Sequence, residues 1–250
     1  MRDVHPRDVV TRARFDAVLF DLDGVLTSTA AIHADAWKRM FDAYLRAREG
    51  DAYVPFDIDR DYKRYVDGKP RYDGVRSFLA SRGITLPDGT PNEPPGDATV
   101  CALGNRKDAM VQTAIDAGKV EAFDGSITWA QRLRDAGFQL AVVSSSRNCA
   151  QVLRAAGIDG LFSARVDGES LITMNLPGKP APDSFLEAAK QLGVPPTRAV
   201  VVEDAISGVE AGRDGKFGLV IGVDREGEGH GTALRAHGAD LVVRDLGELL

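Results

Sequence analysis

The chain has 250 residues, 44% of them hydrophobic and 27% charged, which suits one large α/β domain or two smaller ones with a sizeable core. With 31 basic and 37 acidic side chains the formal charge is −6, so no chain-wide positive field exists to hold a nucleic acid or an anionic membrane. Cys101 and Cys149 stand far apart, which argues against a disulfide framework or a cysteine zinc site and suits half-buried thiols in a reducing compartment.

The first eight residues mix charges where a secretory signal would carry an apolar stretch, and no apolar run approaches the ~20 residues of a membrane span. A soluble, cytoplasmic protein is expected, with residues 1–14 as a loose arm. Apolar, β-rich runs then recur at Ala17–Phe20, Leu140–Val143, Ala199–Val202 and Leu219–Gly222, with a fifth at Asp240–Val243 before a turn at Leu246–Leu250. Near-continuous apolar strands that alternate with helical spacing predict a Rossmann-like parallel sheet covered on both faces. Helices are predicted over Phe123–Ala136 and over Asp183–Leu192, the latter behind Pro182.

About 120 residues separate the first two runs, several times the roughly 30 of a βαβ crossover. Ile32, Ala36, Trp37, Met40, Phe41 and Tyr44 give a helical pattern there, and Leu86–Gly96 is a Pro/Gly-rich loop. These features predict a helical cap domain, residues 32–118, inserted into a core made of 1–31 and 119–250, with the loop as an excursion of the cap.

Chemistry-bearing residues follow the strands. Asp21 and Asp23, spaced by one residue, leave the first strand at the sheet edge where open α/β sheets bind ligands, and Gly24 lets the chain turn and aim N–H groups at an anion. Ser144, Ser145, Ser146, Arg147 and Asn148 follow the second run, Lys179 sits between Gly178 and Pro180, and Glu203 and Asp204 end the third. Each has a plainer reading: an Asx-rich turn, a helix N-cap, a surface lysine in a stiff turn, and acidity at a helix start. Taken together they would be four coincidences at one edge of one sheet.

In order and type, these four motifs resemble the haloacid dehalogenase superfamily of phosphotransferases, over nearly the whole chain. Asp21–Thr27 with Thr29, His33, Ala36 and Trp37, followed by Asp67–Val75 and Asn105–Asp108, is most similar to its β-phosphoglucomutase-like branch. The resemblance implies an isomerase that transfers phosphate within a sugar, β-glucose 1-phosphate to glucose 6-phosphate through the 1,6-bisphosphate, with a bound Mg²⁺. Asp21 would be the nucleophile that forms an aspartyl phosphate, and Asp23 the general acid and base. The metal ligands would be the Asp21 carboxylate, the Asp23 main-chain carbonyl and Asp204, with Glu203 assisting. Ser144, Lys179 and N–H groups near Gly24 and Ser145 would hold the transferring phosphoryl group. A mutase also needs a second anion site, and Arg71, Lys107, Ser146, Arg147 and Asn148 match it, while Thr29 and His33 fall at the hinge, His33 where it could help position Asp23.

Departures from that pattern are Ser28 in place of an acid between the two threonines, Ala205 and Ile206 after the Glu-Asp pair, and Arg147 in place of lysine. The alternatives are a phosphatase of small sugar phosphates using the same two aspartates, and a non-catalytic, Mg²⁺-binding, receiver-like module. Against the module stand Asp23 and the cap. No Gly-x-Gly-x-x-Gly marks a dinucleotide site, the Gly-Lys pairs lack the Ser or Thr of a P-loop, and Gly227, Gly229 and Gly231 read as a flexible loop. The expected partner is a small sugar phosphate, bound by a monomer or, as the alternative left open, an oligomer.

Overall fold

A computed structural model describes residues 9–227 and 229–250. Six strands form one parallel sheet in the order β3-β2-β1-β4-β5-β6: β1 Ala17–Phe20, β2 Gln139–Val143, β3 Ala164–Val166, β4 Ala199–Glu203, β5 Leu219–Val223 and β6 Leu241–Val243. All five predicted runs are strands. The sixth, β3, is three residues long and carries a charged Arg165, so it lacks the apolar run that marks the others.

Alternation along the strands loads both faces. Val18, Phe20, Val142, Val202 and Ile221 pack under α4 (Asp124–Asp135) and α5 (Cys149–Ala155). Ala17, Leu19, Val143, Val201 and Val220 pack against α7 (Asp183–Gln191), α8 (Ile206–Asp214) and α9 (His230–His237). A short α6 (Gly168–Thr173) follows β3. Cys101 and Cys149 are both free and fully buried, deeper than the half-buried state their spacing suggested.

Residues 1–8 of the expected loose arm lie outside the described residues. From residue 9 the chain is not loose: Val9 and Val10 pack against the core, and Arg14 and Phe15 donate N–H bonds to the Thr11 carbonyl at 3.0 and 2.9 Å. The apolar anchor outweighs the local charge.

Between β1 and α4 lies a helical unit with its own core. It holds α1 (Ala30–Glu49), a π-helical segment Ile58–Val66, α2 (Arg71–Ser81) and α3 (Val100–Asp116). Trp37, Phe41, Phe56 and Phe78 meet at its centre, with the Phe41 and Phe78 rings 4.2 Å apart. This aromatic cluster shields the unit without help from the sheet. The Pro-rich loop is pinned back onto it, as Asn105 Nδ2 donates to the carbonyls of Pro91 and Glu93 at 3.2 and 2.8 Å.

Candidate active site

In the parallel sheet β1 lies between β2 and β4, so the residues that leave these three strands at their carboxyl ends must meet. Asp21 and Asp23 follow β1, Ser144–Asn148 follow β2, and Glu203 and Asp204 end β4. Gly24, at φ +84°, turns the chain beneath Asp204, and any Cβ there would collide with the Asp204 carboxylate. Its own N–H is bonded to the Thr27 carbonyl at 2.8 Å, so Gly24 itself supplies the turn.

Beneath the cavity, Lys179 ties the floor together. Its Nζ donates to Asp21 Oδ1 at 2.5 Å, Glu203 Oε1 at 2.6 Å and the Val143 carbonyl at 3.1 Å. Burial works against the Lys179 cation, but the two carboxylates outweigh it and hold its pKa above the ordinary lysine value. Glu203 is fully buried, and its other oxygen accepts the Ala205 N–H at 2.8 Å. Ser144 is also beneath the surface, its Oγ accepting the Ser146 N–H at 3.1 Å; it caps no helix, the N-cap position of α5 being Asn148.

Asp21, Glu203 and Asp204 each present a carboxylate oxygen within 4.8 Å of the other two. Burial raises the pKa of Asp21 well above normal, opposed by the Lys179 charge and reinforced by Glu203 and Asp23. Asp204 is raised by burial and then by Asp67, Glu203 and Asp21. Crowded, all-oxygen carboxylates of this kind fit a hard divalent cation, whose charge would relieve the repulsion. Two residues that sequence reasoning passed over support the turns from behind. Arg225 lies over the Phe123 ring and its Nε donates to the Gly24 carbonyl at 2.7 Å, while His230 Nε2 donates to the Asp204 carbonyl at 2.8 Å.

Asp23 points up toward the helical unit. Its Oδ1 accepts a short hydrogen bond from the buried Thr29 hydroxyl, which lies 2.8 Å from Thr27 Oγ1. His33 Nε2 is 3.7 Å from the same oxygen, and His33 Nδ1 is 2.8 Å from Lys107 Nζ. While Lys107 is protonated it can only donate, and Nδ1 then accepts, which places the proton of the neutral ring on Nε2, the Asp23 side. Burial and then the Lys107 charge hold the His33 pKa down at about 4, so the ring is neutral around pH 7.

Lys107 is buried beside the Trp37 ring, 4.9 Å from its centre. Burial, and after it Arg71, depresses its pKa from 10.5 to about 7. The unfolded chain keeps this proton up to about pH 10.5 and the folded chain releases it near 7, so folding is penalised in full below pH 7 and progressively less toward 10.5. Lys107→Met is therefore expected to melt above the wild type at about pH 6, with the gap closing as pH rises. Melting curves across that window check it, and a gap independent of pH would refute it.

The helical unit sits on the cavity through backbone as much as side chains. Ser145 Oγ donates to the Gly68 carbonyl at 2.6 Å, Ser207 Oγ donates to the Asp67 carbonyl at 3.0 Å, and Lys63 pairs with Glu226. Gly68, at φ +67°, has no room for a Cβ beside Ser207, and a Cβ on Gly178 would strike the Pro70 ring. Asp67 and Tyr62 line the cavity, two more residues the motif reading left without a role. Burial, then Glu203 and Glu226, pushes the Asp67 carboxyl up to about 7.

At the far side Arg71 Nη2 and Asn148 Nδ2 both lie 2.8 Å from Asp108 Oδ1. Arg147 pairs with Glu169 at the rim, and Ser146 Oγ accepts the Asn148 N–H at 3.1 Å. Of the predicted residues, Asp21, Asp23, His33, Arg71, Lys107, Glu203, Asp204 and Ser145–Asn148 line one cavity. Ser144, Lys179, Gly24 and Thr29 stand behind its wall and act on the residues that line it.

Comparison with known proteins agrees with this geometry. A profile of the haloacid dehalogenase-like hydrolase family matches residues 15–215. A β-phosphoglucomutase of Mycobacterium tuberculosis is 53% identical over 238 residues, covering 94% of this chain and 91% of that one. A β-phosphoglucomutase of Bacillus subtilis is 33% identical over 234 residues, covering 93% and 91%. The crystal structure of a β-phosphoglucomutase from Clostridium difficile superposes with a TM-score of 0.74 at 23% identity over 94% of this chain and 93% of that one, a likeness of fold. The aspartate pair on its glycine turn, the lysine under it and the acidic end of β4 are thus set in the fold of relatives that share most of their length with this chain, which belongs to the haloacid dehalogenase-like hydrolase family.

Proposed function

We propose that the protein is a Mg²⁺-dependent β-phosphoglucomutase, which converts β-glucose 1-phosphate to glucose 6-phosphate through glucose 1,6-bisphosphate and an aspartyl phosphate on Asp21. The observation that carries this reading is a cavity with two ends: Asp21 and Asp23 share one turn at the first, and Arg71 and Asn148 converge at the second. The names of the relatives at 53% and 33% identity support the same choice of substrate.

An Asp21 oxygen attacks phosphorus in line, and the P–O bond to the sugar breaks as Asp23 gives its proton to the leaving oxygen. Asp23 later takes a proton from the incoming sugar hydroxyl. Thr29 holds the Asp23 carboxylate through its hydroxyl, with His33 close to the same oxygen. Mg²⁺ would be held by the Asp21 and Asp204 carboxylates and the Asp23 main-chain carbonyl, with Glu203 assisting, and would neutralise charge on the transferring oxygens. Residues 32–118 act as the cap that excludes water, so that a sugar and not water accepts the phosphoryl group. The protein works as a cytoplasmic monomer on a soluble sugar phosphate, with neither nucleic acid nor membrane as partner. Its charge of −6 disfavours a nucleic acid or an anionic membrane, and among the described residues no helix is long and apolar enough to cross a membrane.

A second reading, a phosphatase of small sugar phosphates using the same two aspartates, is favoured by one observation: Arg71 and Asn148 are both engaged by Asp108. Incubation with β-glucose 1-phosphate, Mg²⁺ and a trace of glucose 1,6-bisphosphate separates the two. Glucose 6-phosphate is the expected product; inorganic phosphate without it would establish the hydrolase instead.

A further inference from the structure

Arg71 is the cap cation nearest the second end of the cavity, and it is not free. Its side chain is 10% exposed, Nη2 lies 2.8 Å from Asp108 Oδ1, and Nη1 donates to Asn105 Oδ1 at 3.3 Å. From the core, Asn148 Nδ2 donates to the same Asp108 oxygen at 2.8 Å, while its own Oδ1 accepts from Gln112. A single carboxylate oxygen therefore joins a guanidinium of the cap to an amide of the core. Both donors are among those that would grip the far phosphate of a bisphosphate. A cationic and a neutral N–H donor converging on one anionic oxygen is also how a phosphate oxygen is held.

We propose that Asp108 is a resident anion of the distal phosphate site: it keeps Arg71 and Asn148 aligned across the cap–core boundary, and an entering phosphate displaces it. The inference rests on the mutase reading above. Two consequences follow from the charges. A phosphate dianion has more charge and more acceptor oxygens than a carboxylate and can take over both donors, leaving the cap linked to the core through phosphate. A neutral hydroxyl cannot compete for the guanidinium, so a sugar without a far phosphate leaves Asp108 in place. Asp108 thus lowers the affinity of this end of the cavity for every anion, since each must first displace it.

Asp108→Asn removes the charge and keeps the shape and one acceptor oxygen. Calorimetric titration with glucose 1,6-bisphosphate is expected to show binding roughly tenfold tighter in D108N than in the wild type, because a like charge beside the phosphate is gone. The KM for the bisphosphate should fall with it while kcat does not rise. A residue that only braces the cap would give the opposite, weaker binding and a higher KM. Unchanged or weaker binding in a folded D108N overturns the inference, as does loss of folding in both D108N and Asp108→Ser, since a displaceable anion cannot be indispensable to the framework. Wild-type conversion of β-glucose 1-phosphate is measured alongside. No glucose 6-phosphate from the wild type defeats the mutase reading, whereas conversion without tightening in D108N defeats this inference alone.

Discussion

Asp21→Asn is expected to lower turnover by roughly 10³-fold or more, the loss that removal of a covalent nucleophile brings. The protein should still fold. Asparagine fills the same buried volume, and Lys179 keeps its 2.6 Å ion pair with Glu203 and its bond to the Val143 carbonyl. Product formation and a melting curve, measured on the same preparation, make the check. Turnover within about tenfold of the wild type would take Asp21 out of the nucleophile's role, because no neighbouring group would be expected to replace it so well.

The largest effect on stability should come from the lysine beneath the site. The side chains of Lys179, Asp21 and Glu203 are 1%, 9% and 0% exposed, so two carboxylates share one cation with almost no water to screen them. Lys179→Met leaves both acids without that cation, and removal of one partner from a buried ion pair costs about 3–5 kcal/mol. Denaturant unfolding should show a loss of that order together with loss of activity. Adding Glu203→Gln to K179M should restore part of the stability by removing one of the stranded charges, a coupling that a double-mutant cycle reads directly. A loss under about 1 kcal/mol, typical of an exposed pair, would mean that the triad does not hold the floor together.

Much of this architecture could be read from the residues alone. Four strands announce themselves as unbroken apolar runs because both faces of a parallel sheet are covered, and the motif aspartates follow from their place at strand ends. The strand β3 could not be found in that way, since three residues with Arg165 in the middle carry no periodic signal. The π-helical segment Ile58–Val66 is hidden for a related reason: its hydrogen bonds run five residues apart, as from Asp67 N–H to the Tyr62 carbonyl, and its sequence is dense in charge. Arg225 and His230 were missed because they act on main-chain carbonyls, and a carbonyl leaves no mark in a sequence. Arg71 was visible as a cation, but its engagement by Asp108 joins residues 37 positions apart, which only the packing of α2 on α3 reveals. Ser144 and Gly24 were marked by residue type alone, and the bonds they make, a Ser146 N–H accepted by Ser144 Oγ and the Gly24 N–H given to the Thr27 carbonyl, depend on turns that residue type does not encode.

Gly68 and Gly178 bear on how the cap is seated on the core. Neither carries a functional group, yet each is a place where the cap and the core touch with no space for one more carbon, against Ser207 in one case and Pro70 in the other. Closure at these points is limited by volume and not by charge. A methyl group at either position would press the helical unit off the sheet edge unless the Ser207 hydroxyl or the Pro70 ring gave way. On the mutase reading, the seating that keeps water from the acceptor site therefore involves two positions that no inventory of reactive side chains would include.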